Sequence, residues 1–298
     1  MYEVDFSKPI HIHFIGIGGI SMSGLAEILL KEGFTVSGSD SKESALTDHL
    51  TSNGAQIFYG QRASNIIDGI DLVVYTAAIH PDNPEYACAK EKNIPMMTRA
   101  DLLGQIMKNY QIPIAVSGTH GKTTTTSMAS HILLEGGFDP TISVGGILPA
   151  IGGNLRLGHS GTFITEACEY TNSFLSFFPK ISIILNMDAD HLDIYGTHEH
   201  LLMAFEEFAL QTRGELFLRK GLELKKRTIT GHYAAGEKTD YYADRLRVDN
   251  GSYLFDYIGK DLEIRDLRMC FPGRVNVENA TAAITVALYV GVTPEEIR

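Results

Sequence analysis

Residues Gly118 to Thr123 have the types and the order that bind a phosphate group. They read Gly-Thr-His-Gly-Lys-Thr, follow an apolar run that starts at Ile112, and precede an amphipathic segment from Thr124 to Glu135. Glycines let backbone N–H groups approach phosphate oxygens, the helix N-terminus adds a positive dipole end, lysine adds a charge, and the threonine hydroxyl can hold Mg²⁺. Val116 replaces the first glycine of the full eight-residue pattern, so a glycine-rich turn before a helix remains an alternative.

Two further predicted strands end in polar residues. One covers Thr162 to Thr165 and delivers Glu166, and the other covers Ile181 to Leu185 and delivers a segment that contains His191. Because the carboxyl ends of parallel strands meet at one edge, these clusters would converge with the phosphate loop, as phosphoryl transfer requires. An isolated histidine after a strand is more often structural, and only the shared position favours chemistry here. The candidates for catalysis or for a metal are Lys122, Thr123, Glu166 and His191.

Several neighbouring polar residues have open interpretations. Asn276 and Asn279 open a predicted helix from Ala280 to Val290, and they either recognise adenine or supply an N-cap with a neighbour. Cys168 is most simply a small packed residue. Two interpretations are open for Asp188, Asp190 and Asp193. These aspartates either support a metal site from outside its ligand shell or are solvated acids of a loop. We expect the side chain of Lys122 to be solvated at an anion site rather than buried in a core.

The first hundred residues predict a Rossmann-like domain. A strand from Ile10 to Ile15 leads into the glycine turn Gly16-Ile17-Gly18-Gly19, a helix that Gly33 closes, and a second strand from Thr35 that ends at Asp40. An acidic residue about 20 residues after such a turn meets a ribose hydroxyl in dinucleotide folds. The same turn can seat any diphosphate, so a dinucleotide-dependent oxidoreductase and a binder of uridine or adenine diphosphates are both admissible.

The remaining pattern completes two domains, 1–110 and 111–298. In the first, the segment after a strand at Leu72 to Thr76 is rich in proline and asparagine and lies where open α/β sheets form their ligand crevice. In the second, we expect a glycine-rich loop from Val144 to Asn154, and only a small sheet edge from Gly214 to Asp266. Other predicted elements are strands at Ala55–Phe58, Pro95–Met97, Thr228–Thr230, Arg247–Val248 and Tyr253–Tyr257 and helices at Glu85–Lys92 and Ala100–Lys108.

Composition fits two ordinary α/β domains. The chain has 298 residues, 44% of them hydrophobic, and its formal net charge of −11 argues against extended contact with nucleic acid. No apolar run approaches the ~20 residues of a membrane span, and no signal-peptide pattern is present, so we expect a cytoplasmic protein without a membrane partner. Three widely spaced cysteines, Cys88, Cys168 and Cys270, suit reduced thiols.

Taken together, the motifs resemble those of the Mur ligases, in the order of that family and over nearly the whole chain. They are Gly16-Ile17-Gly18-Gly19 with Ser21-Met22-Ser23, Gly118 to Thr124, Glu166 with Glu169, Asp190-His191-Leu192-Asp193, and Asn276 with Asn279. The resemblance implies a Rossmann-like N-terminal domain that binds a UDP-sugar, followed by a P-loop-type central ATPase domain with a mostly parallel sheet. It also implies ATP-dependent ligation of L-alanine to the carboxylate of UDP-N-acetylmuramate through an acyl phosphate.

The resemblance also implies roles for individual residues. Lys122 would contact the γ-phosphate, and Thr123, Glu166 and His191 would serve Mg²⁺. ATP would be bound by Gly118, Thr119, His120, Gly121, Lys122, Thr123, Thr124, Asn276 and Asn279. The UDP-sugar would be bound by Gly16, Gly18, Gly19, Ser21, Ser39, Asp40, Thr76, Ala77 and Asn154.

Two departures from the family pattern limit these expectations. Val275 stands where the family usually has a histidine, and no segment corresponds to the third domain, which carries the amino acid in Mur ligases. We therefore expect binding of both substrates but incomplete turnover by these 298 residues. A ligase that recycles the murein tripeptide and a non-catalytic nucleotide-binding fragment remain the alternatives.

Overall fold

The computed structural model describes residues 2–190, 192–269 and 271–298. Its backbone contacts divide the chain into two compact units, Met1–Ile106 and Met107–Arg298. None of the helices in these described ranges is both long and apolar enough to cross a bilayer.

The first unit alternates strands and helices around a parallel sheet, as the sequence predicted. In space the strands lie in the order β3-β2-β1-β4-β5. Each strand returns through a helix or loop that covers a face of the sheet, which is the Rossmann-like arrangement. The elements are β1 His11–Ile15, α1 Ile20–Lys31, β2 Thr35–Asp40, α2 Ala45–Ser52, β3 Gln56–Tyr59, β4 Leu72–Tyr75, α3 Pro84–Glu91, β5 Met96–Thr98 and α4 Arg99–Met107.

The second unit is built on a larger, mixed sheet with the order β15-β14-β13-β12-β11-β10-β6-β9-β7-β8. Its central pairs are parallel, whereas β13-β14, β14-β15 and β7-β8 are antiparallel. The elements are β6 Ile112–Ser117, α5 Lys122–Glu135, β7 Thr141–Leu148, β8 Gly153–Arg156, β9 Thr162–Ala167, β10 Ile181–Ile184, α6 Leu192–Tyr195, α7 His198–Gln211, β11 Glu215–Arg219, β12 Gly231–Ala235, β13 Tyr241–Asp249, β14 Ser252–Gly259, β15 Leu262–Met269, α8 Arg274–Val290 and α9 Pro294–Ile297.

Burial explains why the centre of this sheet was predictable. Every residue of β10 is buried, and the apolar residues of β6 from Ile114 to Val116 are fully buried. Strands covered on both faces read as continuous apolar runs, which is the pattern the sequence shows. Helices α5 and α8 pack against each other and close one face of the sheet.

Two sequence predictions about this unit are wrong. The segment expected to be a glycine-rich loop forms the β7–β8 hairpin. Gly145 lies within β7, and the residue there is glycine because a Cβ would come within 3.0 Å of Glu166 Oε2. The segment expected to be a small edge forms β11 to β15, and Thr228 to Thr230 lies outside all of them. Its outer strands expose one face, where paired arginines and acids interrupt the apolar alternation.

Candidate functional site

The phosphate loop lies between β6 and α5, and its glycines have conformations that other residues rarely adopt. Gly118 has φ +135° and Gly121, the N-cap of α5, has φ +83°. A Cβ at Gly121 would lie 3.0 Å from Asn279 Oδ1, and a Cβ at Gly118 would lie 3.0 Å from the side chain of Leu185. The structure therefore confirms the predicted strand, tight turn and helix, although the helix begins at Lys122 rather than Thr124.

Lys122 is folded back over this loop. Its Nζ donates to the carbonyl oxygens of Gly118 at 2.5 Å and Thr119 at 3.2 Å, and to Glu169 Oε2 at 2.9 Å. The Lys122 side chain is 13% exposed and that of Glu169 is 0% exposed. The expectation of a solvated lysine is wrong, because Glu169 in the buried segment after β9 draws the ammonium inward. A phosphate oxygen would have to replace one of these acceptors.

Thr123 and Glu166 place two oxygen atoms that could bind a metal ion side by side. Thr123 Oγ1 donates to Glu166 Oε2 at 3.0 Å, and Glu166 Oε1 accepts from the backbone N–H of Gly145 at 2.5 Å. Glu166 lies inside β9 rather than after it, because that strand continues to Ala167.

These oxygens fit two positions around Mg²⁺, which binds one or two carboxylates and keeps several waters. His191, the third predicted ligand, lies outside the described residues. Among the histidines, cysteines, aspartates and glutamates that the structure does describe, no group of three is placed to hold a metal ion.

Asn186, at the end of β10, joins the site without having been predicted. Its Oδ1 accepts from the backbone N–H of His120 at 2.7 Å, and its Nδ2 donates to the His120 carbonyl at 3.0 Å. Thr119 Oγ1 donates to the carbonyl of Asp188 at 3.2 Å. The loop after β10 thus fixes the middle of the phosphate loop. The available signal was an asparagine directly after a fully buried strand.

Asn276 and Asn279 lie inside α8, so the N-cap interpretation is wrong. The helix begins at Arg274, six residues before the predicted start at Ala280, because Gly273, with φ +98°, turns the chain there. Asn276 Nδ2 donates to the carbonyl of Pro272 at 2.6 Å, and the Asn279 amide lies against Gly121. These two residues therefore belong to the surroundings of the phosphate loop.

Two other residues of this region flank the asparagines. Glu278 pairs with Arg219 at 2.8 Å, and this contact raises the pKa of the arginine. Val275, the residue that departs from the family pattern, is 63% exposed.

In the first unit, the glycine turn is held by the end of β2. The backbone N–H groups of Gly16 and Ile17 donate to the carbonyl of Ser39, and that of Gly18 donates to Asp40 Oδ2 at 2.8 Å. A Cβ at Gly18 would lie 2.7 Å from the same carboxylate oxygen, which explains the glycine. Asp40, predicted to meet a ribose hydroxyl, therefore already binds the turn.

The other residues predicted to contact the sugar lie in different surroundings. Ser21, in the first turn of α1, accepts a hydrogen bond at 2.8 Å from Arg99 Nη1. Arg99 begins α4 and was not predicted, since nothing in its local sequence marks it. Thr76 and Ala77 directly follow β4, whereas Asn154 belongs to the second unit, in β8.

Comparison with known proteins gives these two units a family. The model of the Mur ligase family, catalytic domain, matches residues 11–111, and that of the Mur ligase middle domain matches residues 116–287. A UDP-N-acetylmuramate–L-alanine ligase of Agathobacter rectalis is 54% identical over the whole chain, which covers 67% of that relative. One of Lachnoclostridium phytofermentans is 49% identical, again over the whole chain and over 68% of the relative.

Two solved structures of ligases resemble this chain in fold. UDP-N-acetylmuramate–alanine ligase MurC from Thermotoga maritima superposes with a TM-score of 0.81 at 30% identity, covering 97% of this chain and 67% of that one. The UDP-N-acetylmuramate:L-alanyl-γ-D-glutamyl-meso-diaminopimelate ligase from Neisseria meningitides gives 0.86 at 25% identity, covering 97% and 96%. This chain spans about two thirds of the length of the curated relatives that it matches. It belongs to the Mur ligase family.

Proposed function

We propose that this chain acts in the ATP-dependent joining of L-alanine to the carboxylate of UDP-N-acetylmuramate, a step of peptidoglycan precursor synthesis in the cytoplasm. The observation that carries the proposal is the phosphate loop with its Lys122–Glu169 and Thr123–Glu166 contacts. It occurs in a chain 54% identical to a curated UDP-N-acetylmuramate–L-alanine ligase.

The chemistry fits the groups that are present. A carboxylate is a poor acylating agent, so ATP phosphorylates it, and the amine of L-alanine then attacks the acyl phosphate to give an amide, ADP and phosphate. No nucleophilic side chain is needed, and the protein contributes position and charge neutralisation. Lys122 and the N–H groups at the start of α5 would stabilise negative charge on the transferred phosphoryl group.

The metal and the nucleobase would be held by residues around the same loop. Thr123 and Glu166, with His191, would hold Mg²⁺, which when bound offsets charge on the phosphate oxygens. Asn276 and Asn279 would bind adenine. The UDP-sugar would lie at the glycine turn of the first unit, where we add Arg99 to the predicted residues because its guanidinium reaches Ser21 beside the helix N-terminus.

A second candidate is a ligase that joins the murein tripeptide instead of L-alanine. It is favoured by the TM-score of 0.86 with the Neisseria ligase, whose name includes that peptide. The two candidates share the activation step and differ only in the amine. Phosphate release from ATP and UDP-N-acetylmuramate separates them. It is measured with L-alanine and with L-alanyl-γ-D-glutamyl-meso-diaminopimelate in parallel, on this chain and on a version extended through any native C-terminal domain. Release that depends on the tripeptide alone would replace the first proposal.

The metal assignment gives a first prediction. Glu166→Gln keeps the shape of the side chain but removes its charge, so we expect the Mg²⁺ concentration for half-maximal ATP binding to rise about tenfold or more, as for loss of a charged ligand. Affinity for UDP-N-acetylmuramate should change little. Glu135→Gln, an exposed carboxylate at the far end of α5, is the matched control. An unchanged metal titration in folded Glu166→Gln would remove Glu166 from the metal site.

A further inference from the structure

A fully buried carboxylate lies below the ligand edge of the first unit, and the proposed function assigns it no contact. Glu85, in the first turn of α3, is 0% exposed. Its Oε2 accepts from Ser39 Oγ at 2.6 Å, and its Oε1 accepts from Asn65 Nδ2 at 2.5 Å. Burial opposes ionisation, but the His13 ring and these hydrogen bonds outweigh it and hold the pKa of Glu85 below its ordinary value.

Ser39 connects this carboxylate to the glycine turn. Its side chain donates to the carboxylate, while its own carbonyl accepts from the N–H groups of Gly16 at 2.8 Å and Ile17 at 2.9 Å. The next residue, Asp40, accepts from the N–H of Gly18. The position of the turn that would seat a diphosphate therefore depends on where Ser39 is held. The pairing of β2 with β1 and β3 holds its backbone, and the buried carboxylate holds its side chain.

Asn65 connects the same carboxylate to a second loop. Its Nδ2 donates to Glu85 and also to the carbonyl of Gly60 at 2.9 Å, in the segment after β3. Glu85 itself follows the proline- and asparagine-rich segment after β4. A single buried group thus joins the loops that follow β1, β3 and β4, at the edge where open α/β sheets bind ligands.

The neighbouring histidines can be assigned tautomers that agree with a charged carboxylate at Glu85. Ser37 Oγ lies 2.9 Å from His13 Nδ1 and 2.8 Å from His11 Nε2, and one hydroxyl can donate to only one of them. With Glu85 ionised, His11 Nε2–H donates to Ser37, which donates to His13 Nδ1. The Nε2–H of His13 then faces Glu85 Oε2 at 3.7 Å, too far for a hydrogen bond but close enough for attraction. Every group around Glu85 is in this way a donor.

We propose that Glu85 is a positioning residue for the diphosphate site. Glu85 touches no ligand itself and fixes the Gly16–Gly18 turn through Ser39. The inference rests on the proposed function, because it takes the turn to be the seat of a UDP-sugar. Glutamine should replace Glu85 poorly. Its amide NH₂ would face either the Asn65 NH₂ or, in the other orientation, the His13 Nε2–H and the Ser39 hydroxyl, whose proton would then have to turn away.

The test is calorimetric titration of the chain with UDP-N-acetylmuramate and, separately, with ATP. Glu85→Gln should weaken sugar binding about tenfold or more, the effect of one mismatched buried hydrogen bond, and leave ATP affinity unchanged.

Gln105→Met is the control for a general loss of stability, because Gln105 is buried in the same unit but bonds only to the backbone of Tyr2 and Val4 among the contacts described. It should leave sugar affinity unchanged. If Glu85→Gln does not fold, Asn65→Ala removes the second group that holds the Glu85 carboxylate, at a residue with no proposed ligand contact, and should weaken sugar binding in the same direction.

The outcomes separate the two proposals. Unchanged sugar binding by folded Glu85→Gln, or equal weakening by Gln105→Met, would overturn the positioning role alone. Absence of sugar binding by the unsubstituted chain would overturn the proposed function, and this inference with it.

Discussion

Lys122 and Glu169 form the interaction on which the geometry of the phosphate loop depends most. The carboxylate is fully buried and its ammonium partner nearly so, and the lysine also donates to two loop carbonyls. A buried ion pair is weak evidence of net stabilisation, but removing one member leaves the other charge without that partner. Lys122 therefore carries a structural role beside its proposed contact with phosphate.

A prediction at the residue scale follows from this pair. Lys122→Ala should destabilise the second unit by about 3–5 kcal/mol, the range for breaking a buried pair, as well as remove ATP binding. Lys122→Ala combined with Glu169→Gln should recover most of the stability but none of the ATP binding. The measurement is hydrogen exchange of the β10 amides together with ATP titration.

The control for this prediction is Lys238→Ala, at an exposed position. It should change the stability of the second unit by no more than about 0.5 kcal/mol. Equal stabilities of Lys122→Ala and the unsubstituted chain would show that the pair is dispensable for the fold.

Sequence reasoning identified the residues of the loop but not their contacts. Lys122 and Thr123 were predicted because the spacing of glycine, lysine and hydroxyl residues carries local chemistry, and Glu166 was predicted because it follows a predicted buried strand. Asn186 and Arg99 were not, because their roles depend on which loops meet at a sheet edge. The burial of Lys122 could not be predicted from the sequence either, because it depends on Glu169, which lies 47 positions further along the chain.

At the scale of elements, the start of α5 is fixed by contact with α8. Gly121 is the N-cap of α5, and the Asn279 amide from α8 occupies the space in which a side chain at that position would lie. The helix N-terminus therefore keeps its N–H groups directed at the loop only if the residue is glycine. Two effects therefore favour glycine at position 121: the left-handed backbone conformation and the close packing of Asn279.

A prediction at this scale separates the two effects. Gly121→Ala adds both left-handed strain and a contact at 3.0 Å with Asn279, so it should weaken ATP binding at least tenfold and destabilise the unit by more than 1 kcal/mol. Gly137→Ala, with φ +70° and nothing within 4 Å of the added Cβ, adds only the strain. It should cost about 1 kcal/mol and leave ATP affinity unchanged. Equal loss of affinity in both variants would contradict the packing argument.

The elements were predictable where both faces of a strand are covered, and less so elsewhere. The β10 region reads as an apolar run, the β1 region alternates and then becomes apolar, and the structure confirms both as strands. Strands β13 to β15 expose charged pairs, among them Arg247 with Asp266, and the apolar alternation is lost there. The β7–β8 hairpin resembled a loop because it is rich in glycine. One of these glycines, Gly145, leaves room for the Glu166 carboxylate, a tertiary requirement that local propensity does not contain.

At the scale of the whole molecule, each unit has a hydrophobic core of its own. In the first, the core surrounds β1 and β4 and includes Ile15 and Val73. In the second, it lies between the sheet and the α5–α8 pair and includes Val116 and Ile183. Units with separate cores can open separately, so a ligand that binds one unit stabilises that unit by mass action.

The last prediction uses this separation to locate the nucleotide. ATP with Mg²⁺ at about 100 times its dissociation constant should raise the opening free energy of the β6 and β10 amides by about 2.7 kcal/mol. The β1 and β2 amides of the first unit should not change, because the proposed ATP contacts all belong to the second unit. Hydrogen exchange followed by mass spectrometry measures both sets of amides in one sample, and Lys122→Ala with Glu169→Gln supplies a folded chain that should show no ATP effect. Equal protection of both units would contradict this prediction, because either the units would open together or the nucleotide would also contact the first unit.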